Sequence, residues 1–321
     1  MNRSKIGVIG VGYLGRIHAA KYMAIPGVEL VGVTDANKNT AQDVANHFGI
    51  RVFHTLNEML ERVDAVSVVV PTKQHFKVAR QCLEKGVDVF LEKPMTTTVE
   101  EADALVELAS SCNRILQIGH IEQFNPAVLA MEPYLTTPLF IEAQRIHAFN
   151  IRGADVDVVL DLMIHDIDII LSIVHSPLRT MHSVGAPVIT SASDIANTRL
   201  IFENGCTANI TASRISQTAT RKLRVFQPDS YICVDYGLKE ISISKQNRKK
   251  IIDGVPEVVT QRFSFPDKDA LETELKAFVL NVQQRTTPKI DGKAGRKALN
   301  IALKIIDQIK NHLSEHGDLL V

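Results

Sequence analysis

The chain has 321 residues, enough for two domains with sizeable cores. Its 36 Lys and Arg balance 36 Asp and Glu, so no net charge draws it to nucleic acid or to an anionic membrane. Cys82, Cys112, Cys206 and Cys233 are scattered without a CxxC pair, and the opening MNRSKIGVIG lacks the apolar length of a signal peptide. The expectation is a soluble protein of a reducing compartment, most simply cytoplasmic.

Lys5 to Ile9 reads as a short strand and runs into Gly10-Val11-Gly12-Tyr13-Leu14-Gly15. A helix follows from about Leu14 to Met23, then a second strand, Val28 to Thr34, ending at Asp35. In a dinucleotide site each glycine has a task. Gly10 permits the tight turn, Gly12 lets the backbone approach a pyrophosphate, and Gly15 lets helix and strand pack closely. The helix N-terminus offers free N–H groups to the phosphates. Asp35 sits where a carboxylate accepts bonds from a ribose 2′- and 3′-hydroxyl. It would repel a 2′-phosphate, so NAD is expected over NADP.

The alternation continues with a helix at Ala41 to Phe48, a strand at Asp64 to Val70, a helix at Phe76 to Lys85 and a strand at Val87 to Leu91. Thr98-x-x-Glu101 is a capping box opening a helix to about Ser111, and Arg114 to Ile118 is one more strand. Near-continuous apolar strands alternating with helices predict an α/β fold, a doubly wound parallel sheet covered on both faces. Ligands bind at the carboxyl ends of such strands, which here carry Pro71-Thr72, Glu92-Lys93-Pro94 and Gly119-His120. Lys93 on that rim could hold a substrate hydroxyl or be an ordinary surface lysine. His75 could equally sit at a helix N-terminus without chemistry.

Beyond residue 121 the pattern changes. Phe140 to Phe149 is strand-like, and runs at Ile195 to Phe202, Cys206 to Arg214, Leu223 to Gln227, Tyr231 to Tyr236 and Glu240 to Ser244 suggest an open, mostly antiparallel sheet. Arg248-Lys249-Lys250 reads as a solvated loop, and Ala270 to Gln284 and Gly295 to Leu313 as helices. The expected domains are 1–120, an α+β domain over 121–293, and a C-terminal helix over 294–321 packing back on the first domain. With one sheet face lacking evident helical cover, a homodimer or homotetramer is expected.

Val156 to Val174, VDVVLDLMIHDIDIILSIV, is the stretch that concentrates chemistry. On a helix at about 100° per residue, Asp157, Asp161, His165, Asp168 and Ser172 share a sector of about 80°, with apolar residues around most of the rest. A buried carboxylate must be paired, neutralised or used. Three beside an imidazole fit a proton-transfer site, a satisfied internal network, or metal ligands. No second His or Cys lies at ligand spacing nearby, so no metal is expected.

GVGYLG, Pro71-Thr72-x-x-His75, Glu92-Lys93-Pro94 and Asp161-x-x-x-His165-x-x-Asp168 occur in order along nearly the whole chain. Together they resemble the glucose-fructose oxidoreductase / inositol dehydrogenase / MocA (Gfo/Idh/MocA) family. The resemblance implies a two-domain NAD-dependent dehydrogenase in which the EKP lysine and the DxxxH pair meet around the substrate. Lys93 would then polarise the reacting hydroxyl, His165 would be the general base and Asp161 would orient the imidazole. The same resemblance assigns Gly10, Gly12, Tyr13, Leu14, Gly15 and Asp35 to the cofactor, together with Pro71, Thr72, His75, Glu92 and Lys93. It assigns Lys93, Gln123, Asn125, Arg152, Asp157 and His165 to the substrate. Gly119 to Pro126 and Asp155 to His165 are similar to the branch that oxidises the 3-hydroxyl of UDP-N-acetylglucosamine or its uronic acid for surface-polysaccharide or lipid A synthesis. That branch implies a UDP-linked sugar as the small-molecule partner, with no nucleic acid and no membrane. Arg145 could meet a diphosphate or form a structural ion pair. An inositol-type polyol dehydrogenase and a non-catalytic dinucleotide sensor are the competing readings.

Overall fold

The computed structural model describes residues 3–150, 156–252 and 254–315 and divides into two compact units. Unit 1 comprises 1–121 and 269–299; unit 2 comprises 122–268 and 300–321.

Unit 1 begins with β1 (Ser4–Ile9), α1 (Tyr13–Ala24), β2 (Val28–Thr34), α2 (Lys38–Phe48), β3 (Arg51–Val52) and α3 (Leu56–Leu60). It continues with β4 (Ala65–Val68), α4 (Thr72–Glu84), β5 (Asp88–Glu92), α5 (Val99–Ser111) and β6 (Leu116–Gly119). The strands form one parallel sheet in the order β3-β2-β1-β4-β5-β6, so the direction of winding reverses between β1 and β4. Every residue of β4 and β6 is buried, which explains their unbroken apolar runs. The Thr98 hydroxyl accepts from the Glu101 N–H at 3.2 Å, as the capping box requires. The reciprocal arm is displaced, because the Glu101 carboxylate takes the Thr97 N–H and hydroxyl instead.

Unit 2 contains α6 (Pro126–Met131), β7 (Phe140–Ile146), a π-helical segment (Val159–Met163), α7 (Ile164–Ile173) and β8 (Leu178–Ala186). Then come β9 (Ile195–Phe202), β10 (Thr207–Ser213), β11 (Thr220–Phe226), β12 (Ser230–Asp235), β13 (Glu240–Ile252) and β14 (Val255–Ser264). These eight strands form one sheet, β14-β13-β12-β11-β7-β10-β9-β8, antiparallel except where β10 runs parallel to β7. Alternation aims Ile141, Ala143, Ala208, Ile210, Leu223 and Val225 into the core, where α7 packs on β7 and β10. Glu142, Gln144, Asn197 and Arg199 point to the opposite, more open face.

The expected domain boundaries differ from these units. α8 (Ala270–Gln284) returns to unit 1, where Leu271, Leu275, Phe278, Val279 and Val282 share one core with Ile6, Tyr22 and Phe90. An amphipathic stripe shows that a helix needs cover, not which core supplies it. The early part of α9 (Gly292–Glu315) also lies in unit 1, with Gly295 held so close to β6 that a Cβ would stand 2.6 Å from Ile118. From Asn300 the helix belongs to unit 2, where Ile309 packs on Gly185 and Gln308 donates to the Met181 carbonyl.

The basic cluster expected as a loop lies within β13, whose backbone shifts register between Asn247 and Ile251, and Lys250 pairs with Glu257. No helix among the described residues is long and apolar enough to cross a membrane.

Candidate functional site

At the carboxyl ends of β1, β2, β4 and β5 unit 1 opens a pocket of ≈ 960 Å³. Its lining includes Gly10, Gly12, Leu14, Asp35, Pro71, Thr72, His75, Glu92 and Lys93, so nine of the residues expected at the cofactor meet around one concavity. This is the reversal point where doubly wound sheets take ligands.

The three glycines divide their tasks by geometry. Gly10 has φ +84°, and a Cβ there would stand 2.5 Å from the Val69 carbonyl oxygen. A Cβ on Gly15 would meet the Gly10 carbonyl oxygen at 1.9 Å, so no larger residue lets α1 approach β1 this closely. Around Gly12 nothing lies within 4 Å, which leaves room for a bulky group at the start of α1. Gly12 occupies the N-cap and no side chain caps the helix, so its first N–H groups stay available to an anion. Tyr13 is largely exposed and absent from the pocket lining.

Asp35 accepts the Val11 N–H at 2.7 Å on one oxygen and the Asn37 N–H at 2.8 Å on the other. The glycine turn thereby holds the carboxylate still, while further lone pairs remain for a diol. Pro71 caps α4, and His75 in its first turn is buried between two carbonyls, Pro94 on Nδ1 and Val70 on Nε2, each at 2.8 Å. Burial draws the His75 pKa down against the pull of those carbonyls. His75 thus ties the start of α4 to the Glu92-Lys93-Pro94 segment.

In unit 2 the helix stripe divides. Asp157, Asp161 and His165 are half-buried, whereas Asp166 and Asp168 are buried. A π turn spans Val159–Met163, where i→i+5 bonding widens the spiral ahead of α7. Asp168, on α7 with His165, is turned inward and accepts the Gln123 amide at 2.8 Å. Asp166 receives Arg145 through both Nε and Nη2, and Glu122 takes Nη1. The Arg145 guanidinium also lies 4.8 Å from the Tyr236 ring centre. Burial pushes the Asp166 carboxyl up against the pull of the guanidinium. Burial also opposes the Arg145 cation, but its two carboxylates outweigh that cost. Arg145 is therefore a core ion pair.

The residues expected at a substrate have mixed roles. Asn125 caps α6, accepting from Ala127 and donating to Glu122 and the Tyr236 carbonyl, so its amide is wholly engaged. Gln123 is likewise turned inward to Asp168. Asp157 bonds the Val159 and Ser193 amides and fixes the entry to the π turn. Arg152 lies outside the described residues.

A model of an oxidoreductase family with an NAD-binding Rossmann fold matches residues 4–120. Along 306 residues the chain is 37% identical to the UDP-N-acetylglucosamine 3-dehydrogenase of Acidithiobacillus ferrooxidans, covering 95% of this chain and 97% of that one. The chain belongs to the Gfo/Idh/MocA family. It is a dehydrogenase built to use a nicotinamide dinucleotide. A solved structure of the Acidithiobacillus enzyme superimposes with a TM-score of 0.92 at 36% identity, covering 98% of this chain and 99% of that one. The scyllo-inositol 2-dehydrogenase (NAD(+)) of Bacillus subtilis is 30% identical over 234 residues, 65% of this chain and 67% of that one. The family fold extends to levoglucosan dehydrogenase in complex with NADH and L-sorbose, at TM-score 0.84 and 16% identity, covering 97% of this chain and 98% of that one.

The support behind one wall of this family member's pocket had no sequence motif to announce it. Behind Glu92 stand His18, Ser67 and Tyr22, all buried, joined by contacts 45 to 49 residues apart in sequence. The only local signal was a histidine on the inward face of α1.

Proposed function

We propose that the protein oxidises a secondary hydroxyl, at the 3-position, of a nucleotide-linked amino sugar such as UDP-N-acetylglucosamine, with NAD as hydride acceptor. The observation that carries the reading is the 37% identity to a UDP-N-acetylglucosamine 3-dehydrogenase over 97% of that enzyme. The described geometry supports each role separately. Lys93 lies at the end of β5 on the pocket rim, where an ammonium can polarise a hydroxyl. His165 lies on the half-buried stripe of the helix with Asp161 one turn before it, so the imidazole keeps access to solvent and a carboxylate of opposite charge nearby in sequence. Imidazole titrates near neutral pH, which suits a base that removes a hydroxyl proton. Nicotinamide supplies the hydride acceptor when bound. Asp35, fixed by two backbone amides, favours the free ribose hydroxyls of NAD over the 2′-phosphate of NADP.

The test is formation of reduced nicotinamide with UDP-N-acetylglucosamine, its uronic acid and myo-inositol, each offered with NAD and with NADP. Turnover of a UDP-sugar with NAD is the expected result. Turnover of inositol alone would retain the chemistry and replace the substrate, a reading favoured by the likeness to the scyllo-inositol enzyme. Faster turnover with NADP would overturn the cofactor assignment.

A further inference from the structure

We propose that His18 is a positioning residue acting through Glu92, holding a carboxylate at the nicotinamide end of the pocket so that the oxidised, cationic ring binds in preference to the reduced, neutral one. The proposal rests on the reading of this pocket as the dinucleotide site.

The pocket runs across the sheet from Asp35 beyond β2, over Gly10 and Gly12 beyond β1, to Glu92 and Lys93 beyond β5. With a ribose on Asp35 and the pyrophosphate over the start of α1, the other end of a dinucleotide falls on the β5 side. Glu92 is the pocket's carboxylate there, with 13% of its side chain exposed.

Three features hold that carboxylate in place. His18, fully buried, brings Nε2 to 3.2 Å from Glu92 Oε1, off the ideal hydrogen-bond line. Its Nδ1 stands 3.3 Å from the Ser67 hydroxyl, which is 2.8 Å from the Tyr22 hydroxyl. The other Glu92 oxygen accepts the Lys93 N–H at 3.2 Å, so the carboxylate also orients the backbone that carries Lys93. Finally, the carboxyl folds over Gly119, where a Cβ would stand 3.0 Å from Glu92 Cδ. The Glu92 position is therefore built from four elements, α1, β4, β5 and β6. A polar chain assembled in an apolar interior is costly unless its members satisfy one another. Here the chain ends on a charge that faces the pocket. A carboxylate in a poorly hydrated site acts strongly on a nearby ring that gains or loses a full positive charge, and weakly on the rest of the ligand.

The decisive experiment is calorimetric binding of NAD, NADH and ADP-ribose to wild type and to His18→Leu, His18→Gln, Ser67→Ala and Glu92→Gln. Glu92→Gln and His18→Leu are expected to weaken NAD about tenfold while NADH changes less than about twofold. ADP-ribose, which lacks the ring, should bind all variants as it binds wild type. His18→Gln restores an N–H toward Glu92 and should recover part of the discrimination, and Ser67→Ala should shift it less than His18→Leu. Equal losses of NAD and NADH in His18→Leu, or a parallel loss of ADP-ribose, would show a packing role and overturn the proposal. Failure of wild type to bind any of the three would overturn the dinucleotide reading itself.

Discussion

The pocket of unit 1 and the acidic helix of unit 2 are built on different principles. The pocket is defined by backbone, through a left-handed glycine at 10, an open N-cap at 12 and a close approach at 15. The helix is defined by where side chains point, with Arg145 and Gln123 holding Asp166 and Asp168 inside. Substituting a glycine should thus act through space, and substituting a helix residue through chemistry or charge.

The largest expected effect tests the helix. His165→Ala should lower turnover about a thousandfold, the scale of a lost general base, while NAD affinity stays within about twofold. Parallel losses in calorimetric NAD affinity and kcat would remove the proton-transfer role.

The glycines provide the contrast. Gly15→Ala places a methyl 1.9 Å from a carbonyl oxygen and should cost about 3 kcal/mol of stability by urea unfolding. Gly12→Ala meets no protein atom within 4 Å and should unfold within about 0.5 kcal/mol of wild type. Its methyl enters the space over the start of α1, so NAD affinity should still drop about tenfold. Normal NAD binding by Gly12→Ala would mean that the pyrophosphate does not lie there.

A third prediction concerns charge with no catalytic role. Asp194 is buried, yet one of its oxygens accepts the Val188, Ile189 and Thr190 amides, and Arg214 pairs with the other at 2.8 Å. Burial opposes its charge, but these partners outweigh burial and hold the carboxyl below the usual carboxylate range. A carboxyl whose folded pKa is depressed contributes stability above its unfolded value, near about 3.9, and loses it as pH falls through the folded value. Asp194→Asn should therefore cost about 3 kcal/mol at neutral pH, since it leaves Arg214 short of a counter-charge. That deficit should shrink as urea titrations are carried below about pH 4.

The smallest effect is one of specificity. Asp35→Ser should lower the preference for NAD over NADP about tenfold by removing repulsion, read from the ratio of kcat/KM values. An unchanged ratio would place the discrimination elsewhere.

Much of unit 1 was legible because its constraints are local. A glycine at a required positive φ or a close approach leaves its mark at its own position, as at Gly10 and Gly15. Elements without a burial pattern were not legible, whatever their length. β14 has mostly exposed residues along its length, so it lacks the alternation that reveals a strand. β8, with few fully buried positions, escaped for the same reason.

The amino-acid order by itself determined the βα alternation, the glycine turn with Asp35 as its acid, and the clustering of Asp161 and His165 on one buried-sided helix. Each follows from periodicity or steric demand within a short stretch of chain. Tertiary structure decided which acids are available. Asp166 and Asp168 are drawn into the core by Arg145 and Gln123, while Asp161 and His165 keep solvent access. It also placed His18 and Ser67 behind Glu92 and returned α8 to unit 1. The physical reason is that burial and pairing depend on neighbours distant in sequence, and those neighbours are fixed only when the chain packs.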